Sequence, residues 1–359
     1  MEDVMAEPAV QSGVLDSGRT SPAEVLREPC RTAAAWRAAD LVDPAEWRFE
    51  LSPAHLDELE LALKSVRKHG IVLLQLTRER FPLPTLGAEL RRIAHALENG
   101  RGFAVLKGVP VDRYDAAEIN TIFWGMAQHL GFPVSQDSFG RKLARIRCAV
   151  AVPAGWQVEP ELRTGGSDVV AMLSSRAGGR STVVSSAALY NEVLRRDPPL
   201  VERMYRHFGF DRWGEQLPGE PPHRSVPLAC WYGGRLSFRY ARRDIESAQR
   251  YPDVARLEPA DVALLDLIDE LAYSPEFRFG IDIEPGDLQL FNNYSVLHGH
   301  VQHNTGSTAA ELLRRLWLTL HDGRRLPADF AWETAGYGGP RGRGGVEPRD
   351  VVEHETRWS

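Results

Sequence analysis

The residues best placed to do chemistry lie in one stretch, Gly286-Asp287-Leu288-Gln289-Leu290-Phe291-Asn292-Asn293-Tyr294-Ser295-Val296-Leu297-His298-Gly299-His300. Pro285-Gly286-Asp287 reads as a turn that launches a strand, in which Leu288 and Leu290 alternate with polar neighbours. Asn292-Asn293 can take the positive φ of a tight hairpin turn. In the second strand Val296 and His298 are two apart and so share a face. A histidine placed that way on a barrel wall can ligate a metal ion. His300 shares its face, and a carboxylate from Glu159, Glu161 or Asp168 would complete a small metal site. The plainer reading makes His300 and His303 exposed loop residues and gives the Asn pair only a turn to serve.

These residues need elements to hold them. Residues 1–30 have no periodicity and read as a mobile arm. Ser52-Pro53 starts a helix with the stripe Leu56, Leu59, Leu63 and Val66, stopped at Gly70. A short strand is expected over Ile71–Leu76. Helices follow over 85–99 and 115–130, with a strand over 102–107 between them. Strands are expected over 143–150, 168–174 and 180–185, with helices over 186–196 and 199–208. Gly233-Gly234 marks a hairpin. A helical turn over 244–249 and an amphipathic helix over 260–273 precede the last strands, 277–283, 287–291, 295–300 and 312–320. From Asp322 the Gly-, Arg- and Pro-rich chain reads as irregular, and the Gly338–Gly345 run lacks the lysine and helix of a phosphate loop. This order predicts an α+β fold built on a β-sandwich or barrel: one domain over 31–346 with a tail over 347–359.

Composition excludes several classes. A formal net charge of −6 gives no pull toward nucleic acid or an anionic membrane. Cys30, Cys148 and Cys230 are too far apart for a zinc ribbon and fit a reducing compartment. There is no apolar run long enough to span a membrane and no apolar segment after the acidic start, so a cytoplasmic location is expected.

The Gly286–His300 stretch resembles the Gly-Asp-x-x-x-x-Asn-Asn-x-x-x-Leu-His segment of the TauD/TfdA branch of the iron(II)/2-oxoglutarate-dependent oxygenases, the clavaminate synthase-like family. The resemblance runs from about Leu51 to about Val346. It implies a double-stranded β-helix (jelly-roll) core with flanking helices, a dioxygenase-type oxidoreductase acting on a small molecule, and His298 as the distal iron ligand. In the family the other two ligands come as His-x-Asp within Phe-His-Thr-Asp-Gly-Ser-Asp-Val-Val. Here the segment is Leu162-Arg163-Thr164-Gly165-Gly166-Ser167-Asp168-Val169-Val170, so Arg163 stands where the histidine belongs and Gly165 where the aspartate belongs. Arginine stays protonated and offers no lone pair, and glycine has no side chain. Gly165 would suit the halogenating relatives, whose chloride fills that vacancy, but those keep the histidine. The frame argues against ordinary iron(II) chemistry.

The resemblance also implies a 2-oxoglutarate pocket. Arg315 in Arg315-Leu316-Trp317-Leu318 matches the arginine that grips the distal carboxylate, and Ser181 after Gly178-Gly179 matches its hydroxyl partner. Arg314 should point to the opposite face. The plain alternative for Arg315 is a surface arginine at a strand end. Arg239 and Tyr240 fall in a segment near the substrate side of the family; apart from the resemblance, the side-chain amides of Asn292 and Asn293 are candidates to hydrogen-bond a ligand. Iron(II) with one aspartate carries one positive charge, as does Arg163, so the exchange preserves an anion-attracting pocket between Arg163 and Arg315. Two functions follow. One is an oxidoreductase working through a nonstandard site. The other is a metal-free pseudoenzyme, non-redox catalyst or binding protein for a small, acidic molecule.

Overall fold

The computed structural model describes residues 24–147, 160–175, 179–302, 312–331 and 342–349. The chain opens with β1 (Arg48–Glu50), α1 (Pro53–His69), α2 (Leu86–Asn99), β2 (Phe103–Lys107), α3 (Ala116–Ala127), β3 (Gly131–Val134) and β4 (Leu143–Arg147). Then come β5 (Val169–Ser174), β6 (Gly179–Ser185), α4 (Ser186–Arg196), α5 (Pro198–Met204), β7 (His207–Asp211), β8 (His223–Pro227), β9 (Ala229–Tyr232) and β10 (Arg235–Phe238). α6 (Arg242–Ala248), α7 (Pro259–Tyr273), β11 (Phe279–Ile283), β12 (Leu288–Asn292), β13 (Val296–Gln302) and β14 (Leu312–Leu320) complete it.

Two sheets face each other. The larger runs β1-β2-β12-β5-β14-β3 with β4 also on β14, and the smaller runs β11-β6-β13. Period-two alternation sorts their side chains into layers. Phe103, Val170, Met172 and Phe291 of the large sheet meet Val183, Ile281 and Val296 of the small one in a shared core. The outer face of the large sheet, with Leu290, Leu316 and Leu318, is covered by α1–α3 through Leu59, Leu90 and Phe123. The outer face of the small sheet, with Val184 and Leu297, is covered by α4, α5 and α7. The result is a two-sheet sandwich with helices on both outer faces.

Several expectations change. β12 and β13 do not pair: β12 lies between β2 and β5, whereas β13 pairs β6. The turn between them, Asn293-Tyr294-Ser295, carries the chain from one sheet to the other. Neither asparagine adopts positive φ, because no hairpin has to close there. Gly286 does need its left-handed φ of 89°, since a Cβ there would sit 2.4 Å from the Val109 carbonyl oxygen. Ile71–Leu76 forms a short 3₁₀ turn at Leu73–Gln75. The helix expected over 199–208 ends at Met204, because His207–Asp211 pairs β8, a strand the sequence reading did not include. Gly131–Val134, between the expected helix over 115–130 and strand over 143–150, is a further strand on β14. Within the arm expected to be mobile, residues 24–30 are packed: Leu26 and Cys30 are buried and Glu24 bridges Trp231. Part of the irregular end is also packed, since the Gly345 and Val346 amides donate to the carbonyls of Gly166 and Ser135.

Candidate functional site

At one end of the layer between the sheets lies a cleft of about 540 Å³. The alternation that builds the core also aims its polar groups. Val296 points inward on β13, so His298 and His300 do too; Leu316 and Leu318 point to the helices on β14, so Arg315 and Trp317 face inward. Arg163, Gly165, His298, His300 and Arg315 all line the cleft. Arg314, as expected, turns the other way and donates from Nε to Asn120 Oδ1 on α3 at 2.7 Å.

Arg163 and His298 are locked side by side by two backbone hydrogen bonds, Arg163 N to His298 O at 3.2 Å and His298 N to Arg163 O at 2.9 Å. The His298 ring stacks on Phe291, with centroids 4.9 Å apart. Its Nε2 lies 3.0 Å from Asn293 Oδ1. That oxygen also accepts from the Gly165 amide at 2.7 Å, while Asn293 Nδ2 donates to the Ser167 carbonyl at 2.9 Å. These partners fix which end of the amide is oxygen. An amide oxygen only accepts, so His298 Nε2 carries the proton. Burial, reinforced by the Arg163 and Arg315 guanidinium groups, holds the imidazole pKa down to about 3. His298 is therefore neutral at physiological pH.

Arg315 donates from Nε to Gln136 Oε1 at 2.6 Å and lies over the Trp317 ring. Gln136 is fixed in turn by donating to the carbonyls of Lys142 and Arg315. Burial first, then repulsion from Arg163, lowers the Arg315 pKa to about 10, with Asp137 opposing. It remains a cation at neutral pH. Neither Arg163 nor Arg315 makes an ion pair among the described residues. Across the cleft Asp244 accepts from the Trp213 indole at 2.8 Å, and burial raises its pKa while that bond and Arg163 act against the rise. Trp213 is the described non-glycine residue with a positive φ, 51°, on the loop beside the cleft.

The other expected site residues fare differently. Arg239 reaches the cleft, but its guanidinium is buried between the Tyr294 and Phe330 rings. Ser181 does not line the cleft: it lies behind His300, bonded to Nδ1 at 3.1 Å and donating to Gln289. Asn292 is wholly buried and points away, donating to the Leu97 carbonyl and accepting from the Tyr294 amide. Tyr240 faces α7, donating to Asp269 at 2.6 Å. Asp168 is spent on structure: it accepts from Arg343 Nε and Nη2, Tyr294 Oη and the Leu320 amide at 2.9–3.0 Å. His300 is a strand residue of the cleft rather than an exposed loop residue. Glu159 and His303 lie outside the described residues.

These residues do not fit an iron(II) ion. Of the three expected ligand positions, one is a permanent cation, one has no side chain, and His298 Nε2 is committed to Asn293. Among the described residues no group of three or more His, Cys, Asp or Glu side chains is placed to hold a metal; of the carboxylates expected to join His298 and His300, Glu159 lies outside those residues. A carboxylate ligand does fit, because two guanidinium groups that make no direct ion pair among the described residues line one cleft. The sequence reading missed the Asn293 and Gln136 contacts. Asn293 stood in a stretch it singled out, but side-chain direction at a turn follows no period.

Residues 71–317 match the model of the taurine catabolism dioxygenase TauD, TfdA family. The chain is 28% identical over 329 residues to FR-33289 synthase of Streptomyces rubellomurinus, covering 86% of this chain and 95% of that protein. It is 26% identical to the taurine hydroxylase-like protein SAT17 of Stachybotrys chartarum, covering 82% and 80%. Among solved structures it is similar in fold to asparagine oxygenase in complex with Fe(II), 3-hydroxyasparagine and succinate, with a TM-score of 0.56 at 16% identity over 84% of this chain and 99% of that one. The non-heme iron oxygenase OrfP with iron has a TM-score of 0.55 at 13% identity, covering 79% and 98%. The family match spans the sandwich from the end of α1 into β14, and the chain belongs to the taurine catabolism dioxygenase TauD, TfdA family, an oxidoreductase lineage.

Proposed function

We propose that the protein is a metal-free member of this lineage whose cleft binds a small organic acid, 2-oxoglutarate or a molecule of like charge, between Arg163 and Arg315. In the same reading the sandwich is the family's double-stranded β-helix, and Arg163 and Gly165 stand in place of two iron ligands. One observation carries it: two guanidinium groups face one cleft without a carboxylate partner among the described residues. Like charges held together in a partly buried space are costly until an anion neutralises them. Arg315, backed by Gln136, offers the planar fork that suits a carboxylate. Arg163, more exposed, supplies charge at the position the family gives to metal. His298 contributes a neutral wall that neither repels nor protonates the ligand.

A second reading keeps the protein an oxidoreductase, with iron held on a rearranged site. It is favoured by His298 and His300 facing the same cleft.

An anaerobic titration with iron(II), with and without 2-oxoglutarate, followed by calorimetry and metal analysis, separates the two. Binding of the acid without iron is the expected result. Stoichiometric iron binding that 2-oxoglutarate strengthens would overturn the metal-free reading in favour of the second. If neither binds, the acid-binding reading fails and an interaction role takes its place.

A further inference from the structure

Four carboxylates among the described residues line the cleft, and three are accounted for. Asp211 accepts from Arg250 at 2.8 Å, from the Ser247 hydroxyl at 2.6 Å and from the Trp213 amide at 2.9 Å. Glu215 accepts from the Ser138 amide, and Glu161 is exposed. Asp244 is half-buried, with one side-chain hydrogen bond, from the Trp213 indole, and no ion pair among the described residues. The geometry points to Asp244 as the proton acceptor of the cleft: it takes a proton from the carbon next to the oxo group of a bound 2-oxo acid, while Arg163 stabilises the charge that develops on the oxo oxygen. This inference rests on the acid-binding reading of the cleft.

Arg163 and Asp244 come from distant parts of the chain but are tied together. The Thr164 amide donates to the Tyr240 carbonyl at 2.8 Å, and the Tyr240 amide donates to Thr164 Oγ1 at 3.0 Å. These bonds couple the segment that carries Arg163 to the one that leads into α6, which carries Asp244. Both side chains therefore face one cleft from fixed places. Their charges meet across it. Burial raises the Asp244 pKa, the Trp213 bond and Arg163 oppose the rise, and Glu161 and Asp211 add to it. Trp213 is itself braced, with the Arg243 and Arg250 guanidinium groups 4.8 and 5.4 Å from its ring centroid. It is a positioning residue: it holds one side of the carboxylate and leaves the remaining lone pairs to a ligand.

The step balances with what the cleft and the acid supply. The carbon–hydrogen bond beside the oxo group breaks, and its proton goes to the Asp244 carboxylate. Its electron pair forms a carbon–carbon double bond, and the carbonyl π pair moves to oxygen as an enolate. Arg163, always protonated, meets that developing charge. Return of the proton, or of one from solvent, restores the acid, so no oxidant, reductant or second reactant is consumed. A carboxylate in water is a weak base. One that is half-buried and has a single donor is stronger, because its charged form is less well solvated.

Proton NMR of 2-oxoglutarate in deuterium oxide, with a metal chelator present, reads the step as loss of the proton signal beside the oxo group. The unaltered protein should speed that loss. Asp244→Asn, which keeps an acceptor for Trp213, should slow it at least about 100-fold at saturating acid. Calorimetry on the same two proteins reads binding separately. Trp213→Phe removes a donor that favours the charged carboxylate, so the pH midpoint of the exchange should move upward. The charged groups that face Asp244 and share in that midpoint are Arg163, Glu161 and Asp211. An unmoved midpoint would overturn the positioning role of Trp213. Bound acid without exchange, or equal exchange in Asp244→Asn, would overturn the assignment of Asp244 and leave the acid-binding cleft standing. If calorimetry finds no bound acid, the two readings fall together.

Discussion

Two arginine sites stand five residues apart at their anchors in the chain, and they use charge in opposite ways. At Asp168 the carboxylate is wholly buried, and Arg343, Tyr294 and the Leu320 amide satisfy it completely. At Arg163 the guanidinium faces a cleft, with Arg315 for company and no carboxylate paired to either among the described residues. The first arrangement is closed, its charges cancelled within the protein, and it can only hold things together. The second is open and leaves charge to be cancelled by something else. An ionic group that already has every partner it can use is structural, whereas one kept short of partners in a concave site marks a place for a ligand.

The sharpest way to break this contrast is at Asp168. Asp168→Ala leaves Arg343 buried and uncompensated, and should cost about 3–5 kcal/mol in a urea unfolding measurement. Arg163→Ala, at an exposed position, should change stability by less than about 0.5 kcal/mol. Comparable losses at the two would remove the distinction. Next in size is ligand binding. Arg315→Met should weaken acid binding by about 10- to 100-fold, as expected for a charge-assisted hydrogen-bonding pair, and Arg163→Met by roughly tenfold. Calorimetry that found the acid unaffected by both would show that the cleft cations do not hold it.

The smallest expected effect is a flat line. His298, held down to about 3, stays neutral across the range in which an ordinary histidine titrates, while Arg315, lowered to about 10, stays charged. Acid affinity should therefore be level from pH 5 to pH 8 and weaken only as pH rises through about 10 and Arg315 loses its proton. A binding transition centred near pH 6.5 would mean that a histidine of the cleft carries part of the charge, and its loss in His300→Gln would assign it to His300 whereas its persistence there would count against a neutral His298.

Much of this was legible in the sequence because it follows a period. The alternation that predicted opposite faces for Arg314 and Arg315 holds, and Ser186–Arg196 forms the helix expected over those residues. The Gly233-Gly234 hairpin forms with both glycines at positive φ. What failed depends on long-range pairing. Two strands joined by a short turn look like a hairpin, and nothing local says that β12 and β13 belong to different sheets. Ser181 was placed by resemblance and Asn292 by its side-chain amide, and each is bonded away from the cleft to a neighbour remote in sequence, Gln289 in one case and Leu97 in the other. Asn293 was read as half of a turn; its part in the site appears only when Gly165, Ser167 and His298 come together around it.

The Asp168–Arg343 contact also bears on how the molecule is made. The carboxylate and its guanidinium are separated by 175 residues. A chain growing from its N-terminus therefore makes β5 long before its sheet neighbours β12 and β14, or the cation that neutralises Asp168, exist. Until residue 343 arrives, a carboxylate destined for the interior has to stay hydrated, which keeps the neighbouring Gly166-Ser167 turn from settling. Val346, three residues beyond Arg343, is part of the cleft wall. The binding cleft and the last buried charge pair are thus finished in one late event, and a nascent or proteolysed chain ending before that point would carry the sandwich strands without a completed cleft.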